Sequence, residues 1–297
     1  MWRPGDTGGM QYGSLVSDAL SKTARLIPLA LVPLVASLAR WPDVLAVATK
    51  PGVDFSVKFG LPHPLADLWT FIDAPSPEGG GFYVNAPFVD PSVAREGELL
   101  ADPQAVGAIV LTLVGYALFT GILMAGYLGS IDQFLTARRY DFLANVRRYA
   151  VRMIVLQTVL LGSFLLVFGA ALIAFPLVIL LVAVGFVAWL LLYLTPFLVV
   201  VADEPLLVAF RRSLRLTTSS VQPLAFVVMY ALLVAVISLP MSALANLGIG
   251  GVLAAAALAS NFGLFLSVLA VMFTRELLAA GGDAAPSKGD TQATGAA

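Results

Sequence analysis

The side chains that most often perform chemistry are scarce in this sequence. It contains one histidine, His63, which lies between two prolines, and it contains no cysteine. A zinc site needs several Cys, His or acidic ligands, so a lone imidazole is poor material for one. The sequence also has no His-Glu-x-x-His, phosphate-binding glycine loop or Gly-x-Ser-x-Gly motif. We therefore predict no catalytic residues, no metal site, no cofactor and no enzymatic activity, and no functional role for His63.

The elements that would position functional residues are long apolar tracts. Hydrophobic residues make up 59% of the chain and charged residues only 12%, well below the roughly 25% of soluble domains. Ionisable side chains are absent from four tracts, 26–39, 103–131, 153–202 and 216–274. A helix needs about 20 apolar residues to cross the hydrocarbon core. The tracts predict an all-α, polytopic transmembrane bundle of six spans, with hairpin turns near Pro176 and at Asn246–Gly251.

The first tract is short for a span. It is sufficient only if the helix begins before Arg25 and continues to Trp41. Val35–Ala39 also resembles a signal-peptidase site, because its small residues Ser37 and Ala39 are suitably spaced. The long segment ahead of the tract favours an uncleaved anchor, and cleavage is the alternative.

The distribution of charge predicts the topology. Lys and Arg cluster before residue 26, at 132–152, at 203–215 and after 274, whereas acids outnumber them in the connection after Arg40. The positive-inside rule then places both termini in the cytoplasm. The excess of Arg over Lys favours a prokaryotic cell membrane. The predicted parts are a cytoplasmic N-terminus, interfacial helix and first span (1–40), an extracytoplasmic Pro-rich loop (41–102), a five-span bundle with two basic amphipathic helices (103–280) and a disordered tail (281–297).

A basic, half-apolar segment precedes the first, third and fifth predicted spans. The three segments are Ser14–Ile27, Asp141–Met153 and Asp203–Ser220. A basic amphipathic helix lies naturally among lipid headgroups with its arginines toward anionic lipid. We predict three modules, each consisting of an interfacial helix and a hairpin of two spans. The alternative is that these segments are ordinary cytoplasmic loops, which in membrane proteins are also basic and half-apolar. The predicted headgroup contacts are Lys22, Arg25, Arg147, Arg148, Arg152, Arg211, Arg212 and Arg215.

Small residues recur at four-residue spacing in two predicted spans, and such stripes let helices approach closely in lipid. The predicted helix-packing positions are Ala117, Gly121, Ala125 and Gly129 in the second span and Ala255, Ala259, Gly263 and Ser267 in the sixth. The two stripes could pack against each other. Asn261 and Gln157 are amides within spans, so we predict that both face the bundle as structural hydrogen-bonding groups.

Three stretches of the sequence resemble a known family. They are Asp18–Leu26, Gly115–Arg139 and Asp203–Thr217, the last ending in Arg-Arg-Ser-Leu-Arg-Leu-Thr. They are similar to the membrane domain of glycerophosphoryl diester phosphodiesterase, a broad family of prokaryotic six-span proteins. The resemblance implies the architecture. It does not carry the enzymatic activity, which in that family belongs to a separate soluble domain whose acidic and histidine residues are lacking here.

Two functions remain open at this point. The first is association with the lipid bilayer, through anionic headgroups, or with a membrane-protein partner; no nucleic-acid partner is expected. The second is a permease or lipid transporter for a neutral or amphipathic substrate, although the predicted spans carry none of the ionisable groups usual in coupled carriers. A polar cavity reaching the middle of the membrane would favour the second function. A tightly filled bundle would favour the first.

Overall fold

A computed structural model describes residues 12–50, 55–73, 103–173 and 175–280. This part of the chain is all-helical and contains no strand. The predicted disordered tail, and the predicted outer loop from residue 74 onward, lie outside the described residues. The helices are α1 Tyr12–Thr23, α2 Leu31–Leu38, α3 Trp41–Thr49, α4 Leu68–Phe71, α5 Pro103–Ala137, α6 Phe142–Ile173, α7 Phe175–Leu192, α8 Thr195–Val201, α9 Leu206–Ser219, α10 Gln222–Ala245 and α11 Gly248–Ala280.

Four stretches of the described chain are long and apolar enough to cross a membrane. They are Val110–Ala137, Ile179–Val201, Gln222–Ala245 and Gly248–Ala280. A fifth is added if Tyr12–Thr23 and Ile27–Leu38, which meet at 90°, form one broken span. The chain is therefore a multi-pass helical membrane protein. The third predicted span falls in α6, which is not among these stretches, so the count of six stays a prediction.

The first predicted span continues beyond its expected end. A short 3₁₀ turn leads into α2, the backbone breaks at Arg40 (φ −97°, ψ 49°), and α3 begins with Pro42 in its first turn. The α1 residue Lys22 lies 3.7 Å from the sulfur of Met272, whereas the carbonyl of Ala48 lies beside Gly248. Residues 27–49 thus run antiparallel to α11 over nearly its whole length. The predicted end of the first span at residue 40 is therefore only a break between two helices. The chain continues as α3 after the break, because a proline is tolerated in the first turn of a helix.

Residues 55–73, which we call the inserted segment, pack along the helices of the bundle, although Phe55, Val57 and Phe59 of the first arm face outward. Its extended first arm follows α10. The Ser56 amide donates to Ser242 Oγ at 3.4 Å, and the Lys58 amide donates to Ser238 Oγ at 3.2 Å. Two residues of extended chain span about the same distance as four residues of helix. Every second residue of the arm therefore lies beside the next turn of α10. The serines of α10 supply the hydrogen bonds that a neighbouring strand would otherwise provide.

The inserted segment turns back against α11 and ends in α4. A Cβ added at Gly263 would lie 1.9 Å from the carbonyl oxygen of Ala66, so only glycine permits this approach. Lys58 joins the two arms, because its Nζ donates to Trp69 O at 2.9 Å and to Ile72 O at 3.2 Å and pairs with Asp73 at 2.8 Å. The segment is therefore a re-entrant hairpin fixed to two long helices.

Both predicted small-residue stripes are buried, but their closest contacts are not with each other. In α5, Gly121 lies against Ile154 of α6 and Gly129 lies against Asn145 of α6. A Cβ added at either glycine would be less than 3 Å from its neighbour. The α11 stripe packs partly on the inserted segment, through Gly263 and through a 3.5 Å hydrogen bond from Ser267 Oγ to the carbonyl of Pro64. Ala117, Ala125, Ala255 and Ala259 are also buried.

The three-module pattern is only partly visible. Helices α1 and α9 are separate amphipathic helices, as predicted for the first and third modules. The second predicted interfacial segment, Asp141–Met153, is instead the beginning of the continuous helix α6. No proline or glycine interrupts that stretch, so the helix passes directly from the basic segment into the apolar one. The predicted turn at Asn246–Gly251 lies between α10 and α11, where Gly248 adopts φ +74°.

Gly263→Ala should destabilise the protein by about 1–3 kcal/mol, because the new methyl group must displace the backbone of the inserted segment. Gly115→Ala is the matched control, since nothing lies within 4 Å of its added Cβ. An alanine at that helical position should be neutral or slightly stabilising. Thermal unfolding in detergent measures both variants, and equal midpoints would contradict the close contact at Gly263.

Candidate functional site

A cavity of about 220 Å³ lies between the inserted segment and helices α2, α5 and α6. Its apolar walls are Ala36, Leu65, Trp69, Phe119 and Met124. More of its lining residues are polar than apolar, which is unusual inside an apolar bundle. The polar ones are Arg40, His63, Asp67, Thr70, Tyr116, Thr120 and Gln157. Polar groups that converge on one cavity are the usual mark of a binding site. This cavity is the candidate functional site.

The cavity lies deep in the bundle. At one end of α5, Asp132 accepts hydrogen bonds from Arg275 Nε at 2.9 Å and Nη2 at 2.7 Å, which marks a polar boundary. Thr120 precedes Asp132 by twelve residues, or about 18 Å along a helix. The hydrocarbon core is about 30 Å thick. The Thr120 side of the cavity is therefore near the middle of the bundle.

Arg40 reaches the cavity from the break between α2 and α3. Its Nε donates to Asp43 Oδ2 at 2.7 Å, and its Nη2 lies 2.6 Å from the same oxygen. The guanidinium carbon is 4.5 Å from the centre of the Trp69 ring. The indole is in turn fixed by Ser37, because Trp69 Nε1 donates to the Ser37 carbonyl at 3.0 Å. These contacts give a partly buried arginine a defined position.

Asp67 places a carboxylate in the same cavity. It is the N-cap of α4, where Oδ1 accepts from the Trp69 amide at 3.1 Å and from Thr70 Oγ1 at 3.4 Å. The Asp67 amide donates to Thr70 Oγ1 at 3.1 Å, which completes a capping box. The positive charge of Arg40 favours the ionised form of this carboxyl group. The cap explains why such a short helix forms, and it aims the carboxylate into the bundle.

His63 lies beside these groups rather than alone on an outer loop. Its Nδ1 is 2.9 Å from the carbonyl of Leu65, which fixes the ring. One acid, Asp67, lines the same cavity as His63. The described residues contain no group of three or more His, Cys, Asp or Glu that could hold a metal ion. The arrangement is suited to hydrogen-bonding and electrostatic recognition of a ligand.

The two predicted amides behave differently. Gln157 is buried, lines the cavity and lies 2.9 Å from the sulfur of Met124, as expected for an amide facing the bundle. Asn261 is exposed on the outside of α11 and donates to the carbonyl of Ala257 at 2.8 Å. A bond to the preceding turn satisfies the amide group locally. The prediction that Asn261 faces the bundle is therefore wrong.

Three of the predicted headgroup contacts form ion pairs with the connection between α8 and α9. Arg148 and Arg152 of α6 both bind Asp203, the second at 3.0 Å, and Arg212 pairs with Glu204. Burial alone would raise the pKa of the Asp203 carboxyl, but the hydrogen bonds and charges of both arginines hold it below its ordinary value. Lys22 is half-buried beside α11. Arg25, Arg147, Arg211 and Arg215 are exposed, and so is Arg148 despite its bond to Asp203.

Ser37→Ala should cost about 1–3 kcal/mol, because the Leu68 amide would lose its 3.0 Å hydrogen bond to Ser37 Oγ inside the bundle. The expected result is a lower unfolding temperature. Ser163→Ala removes a hydroxyl that is exposed on α6 and should change little. If the two variants unfold at the same temperature as the original chain, Ser37 does not support the inserted segment.

Comparisons with known proteins give no further guidance to this site. No family model matches the chain, and no curated protein or solved structure is significantly similar to it. The resemblance to the membrane domain of glycerophosphoryl diester phosphodiesterase therefore stays a prediction. The function has to be inferred from the geometry of the cavity.

Proposed function

We propose that this protein is a permease or lipid transporter that binds a small polar or amphipathic ligand in its intramembrane cavity. The observation that carries the proposal is the polar cavity itself, whose Thr120 side lies near the middle of the bundle. Polar groups buried away from water are costly unless they are paired. A ligand that hydrogen-bonds to Arg40, Asp67 and Gln157 would offset that cost. Association without transport would need no such cavity.

The size of the cavity limits the ligand. Its volume of about 220 Å³ corresponds to roughly seven water molecules, and is below the 300–1,000 Å³ of typical drug-sized sites. A small solute or the polar headgroup of a lipid fits this volume, whereas a large solute does not. In the lipid case the acyl chains would remain outside, among the apolar faces of the helices.

The inserted segment is the wall that such a ligand would displace. It is attached to α10 through serine hydroxyls, at Ser238 and Ser242, and to α11 at Gly263. These are a few individual contacts, whereas α5 and α6 pack closely at Gly121, Gly126 and Gly129. In this proposal its movement opens the cavity to one side of the membrane.

The topology forms part of the proposal. Six spans in a prokaryotic plasma membrane, with both termini in the cytoplasm and three interfacial segments, would place the exposed arginines on the cytoplasmic side. The pair of Asp132 and Arg275 would then mark the inner boundary. The protein would act without catalysis, as the family resemblance to a non-catalytic membrane domain also suggests.

Filling the cavity should release its ligand. Ala36 is buried in the cavity wall, so Ala36→Leu places a branched side chain where the ligand would bind. Ala254→Leu makes the same change on the exposed face of α11. Small molecules and lipids extracted from each purified protein, and from the original chain, are compared by mass spectrometry.

The expected result is a species that is retained by the original chain and by Ala254→Leu but depleted at least several-fold in Ala36→Leu. Identical extracts from all three proteins would contradict a ligand-binding cavity. Unfolding temperatures check that Ala36→Leu remains folded, since an overpacked core can destabilise a protein by itself.

Exposed arginines support a second function, association with anionic lipid headgroups. Arg147 on α6 and Arg211 on α9 are exposed near the same end of the bundle, where the ion pairs of Asp203 and Glu204 lie. Helix α9 is amphipathic, with Ala209 and Ser213 buried on its inner face. A helix of this kind lies well at the surface of an anionic membrane.

The double change Arg147→Gln and Arg211→Gln should weaken retention of anionic lipid by about 1 kcal/mol per arginine. Native mass spectrometry of protein from mixed-lipid nanodiscs measures the lipids retained. The control pair is Arg148→Gln with Arg152→Gln, which breaks ion pairs to Asp203 and should lower stability more than lipid retention. Unchanged retention in the first pair would count against headgroup binding.

A further inference from the structure

The positive charge beside the cavity is already engaged by an acid outside it. Arg40 and Asp67 both line the cavity, and Arg40 forms an ion pair with Asp43, to which its Nε donates at 2.7 Å. Arg40, Asp43 and Asp67 therefore bring together one positive and two negative side chains, of which the Arg40–Asp43 pair is partly exposed. A ligand with a positive group would offset the second negative charge, that of Asp67.

Asp67 can accept a further hydrogen bond from such a group. Oδ1 accepts from the Trp69 amide and from Thr70 Oγ1, and the Thr70 amide also donates to the carboxylate within the capping box. A carboxylate has about four lone-pair sites on its two oxygens, so Asp67 retains the capacity to bind a cationic donor. The capping box keeps the carboxylate in place while it does so.

The remaining walls favour an organic cation. Tyr116 and Phe119 of α5 line the same cavity as Asp67, and aromatic faces attract ammonium groups through their quadrupoles. The cavity of about 220 Å³ is much larger than a bare ion, and the described residues offer no cluster of three metal-ligating side chains. A carboxylate beside aromatic rings is the combination that binds alkylammonium groups.

We infer that the ligand of this cavity carries an ammonium group, which binds between the Asp67 carboxylate and the aromatic rings of Tyr116 and Phe119. This inference rests on the proposed ligand-binding function and adds the chemical class of the ligand. The ammonium group belongs either to a small free amine or to the headgroup of a lipid. Both sources present the same chemistry to Asp67, and they differ in whether an acyl chain must remain in the bilayer.

The test uses choline and its uncharged isostere dimethylbutanol, which differ in charge but hardly in shape. Binding to the full chain in detergent is measured by calorimetry, with thermal stabilisation as a second readout. Choline should bind and dimethylbutanol should not. Asp67→Asn should reduce choline affinity roughly tenfold or more, which corresponds to the loss of one charged contact.

The substitution suits this position because asparagine is also a favoured N-cap, so α4 should keep its start while the charge is removed. Asp73→Asn is the matched control. It removes a carboxylate from the same segment at an exposed site paired with Lys58, outside the cavity lining, and should leave choline binding unchanged. The unfolding temperature of Asp67→Asn should equal or exceed that of the original chain, because an unbalanced buried charge is gone.

The source of the ammonium group is tested in nanodiscs. If a lipid headgroup is the ligand, phosphatidylcholine discs should abolish choline binding by competition, whereas phosphatidylglycerol discs should not. If a free amine is the ligand, both kinds of disc should bind choline equally. Choline binding that is absent in detergent and in both kinds of disc, or that is unaffected by Asp67→Asn, would overturn the inference.

The two proposals fail separately. A ligand that is lost in Ala36→Leu but carries no ammonium group would refute the present inference and leave the binding cavity standing. Identical extracts from Ala36→Leu and the original chain, together with no choline binding, would refute both.

Discussion

The structure depends on one constraint: an extended backbone inside a membrane protein must find hydrogen-bond partners without water or a neighbouring strand. The inserted segment meets this constraint with serine hydroxyls. The hydroxyls of Ser238 and Ser242 accept from backbone amides of its first arm, and that of Ser37 accepts from the first amide of α4. The Ser267 hydroxyl donates to a carbonyl of the turn. Each of these serines also lies within a helix, so irregular backbone is fixed to regular backbone. The cavity exists because this arrangement allows polar residues to enter the bundle.

Much of the fold follows from the sequence. Tracts without ionisable residues have to be surrounded by hydrocarbon or protein, and they coincide with the long helices α5, α10 and α11. The turn near Gly248 was predictable because glycine tolerates its positive φ. The small-residue stripes predicted as packing positions are buried, and close packing requires small side chains. Their partners were not predictable, because nothing local in α5 distinguishes the surface of α6 from that of α11.

The candidate site was hidden from the same analysis. Arg40, His63 and Asp67 lie in a polar, proline-rich stretch, and such composition normally indicates a solvated loop. Their burial results from tertiary contacts with α10 and α11, far away in sequence. Two local signals were present. The Asp67 and Thr70 spacing is that of a capping box, and the serines at four-residue intervals in α10 offered hydroxyls along one face. The distribution of charge was also misleading, because it placed His63 and Asp67 in an extracytoplasmic loop.

The broken first span has a consequence for biosynthesis. On insertion scales an arginine near the centre of a span costs about 2.5–3.5 kcal/mol, and Arg40 interrupts the stretch from Ile27 to Thr49. Its apolar faces pack along α11, which is the last helix of the described chain to leave the ribosome. This early hydrophobic stretch therefore acquires its main support only when translation has passed Ala280. We therefore expect residues 27–49 to pack in their final position only after α11 has been inserted.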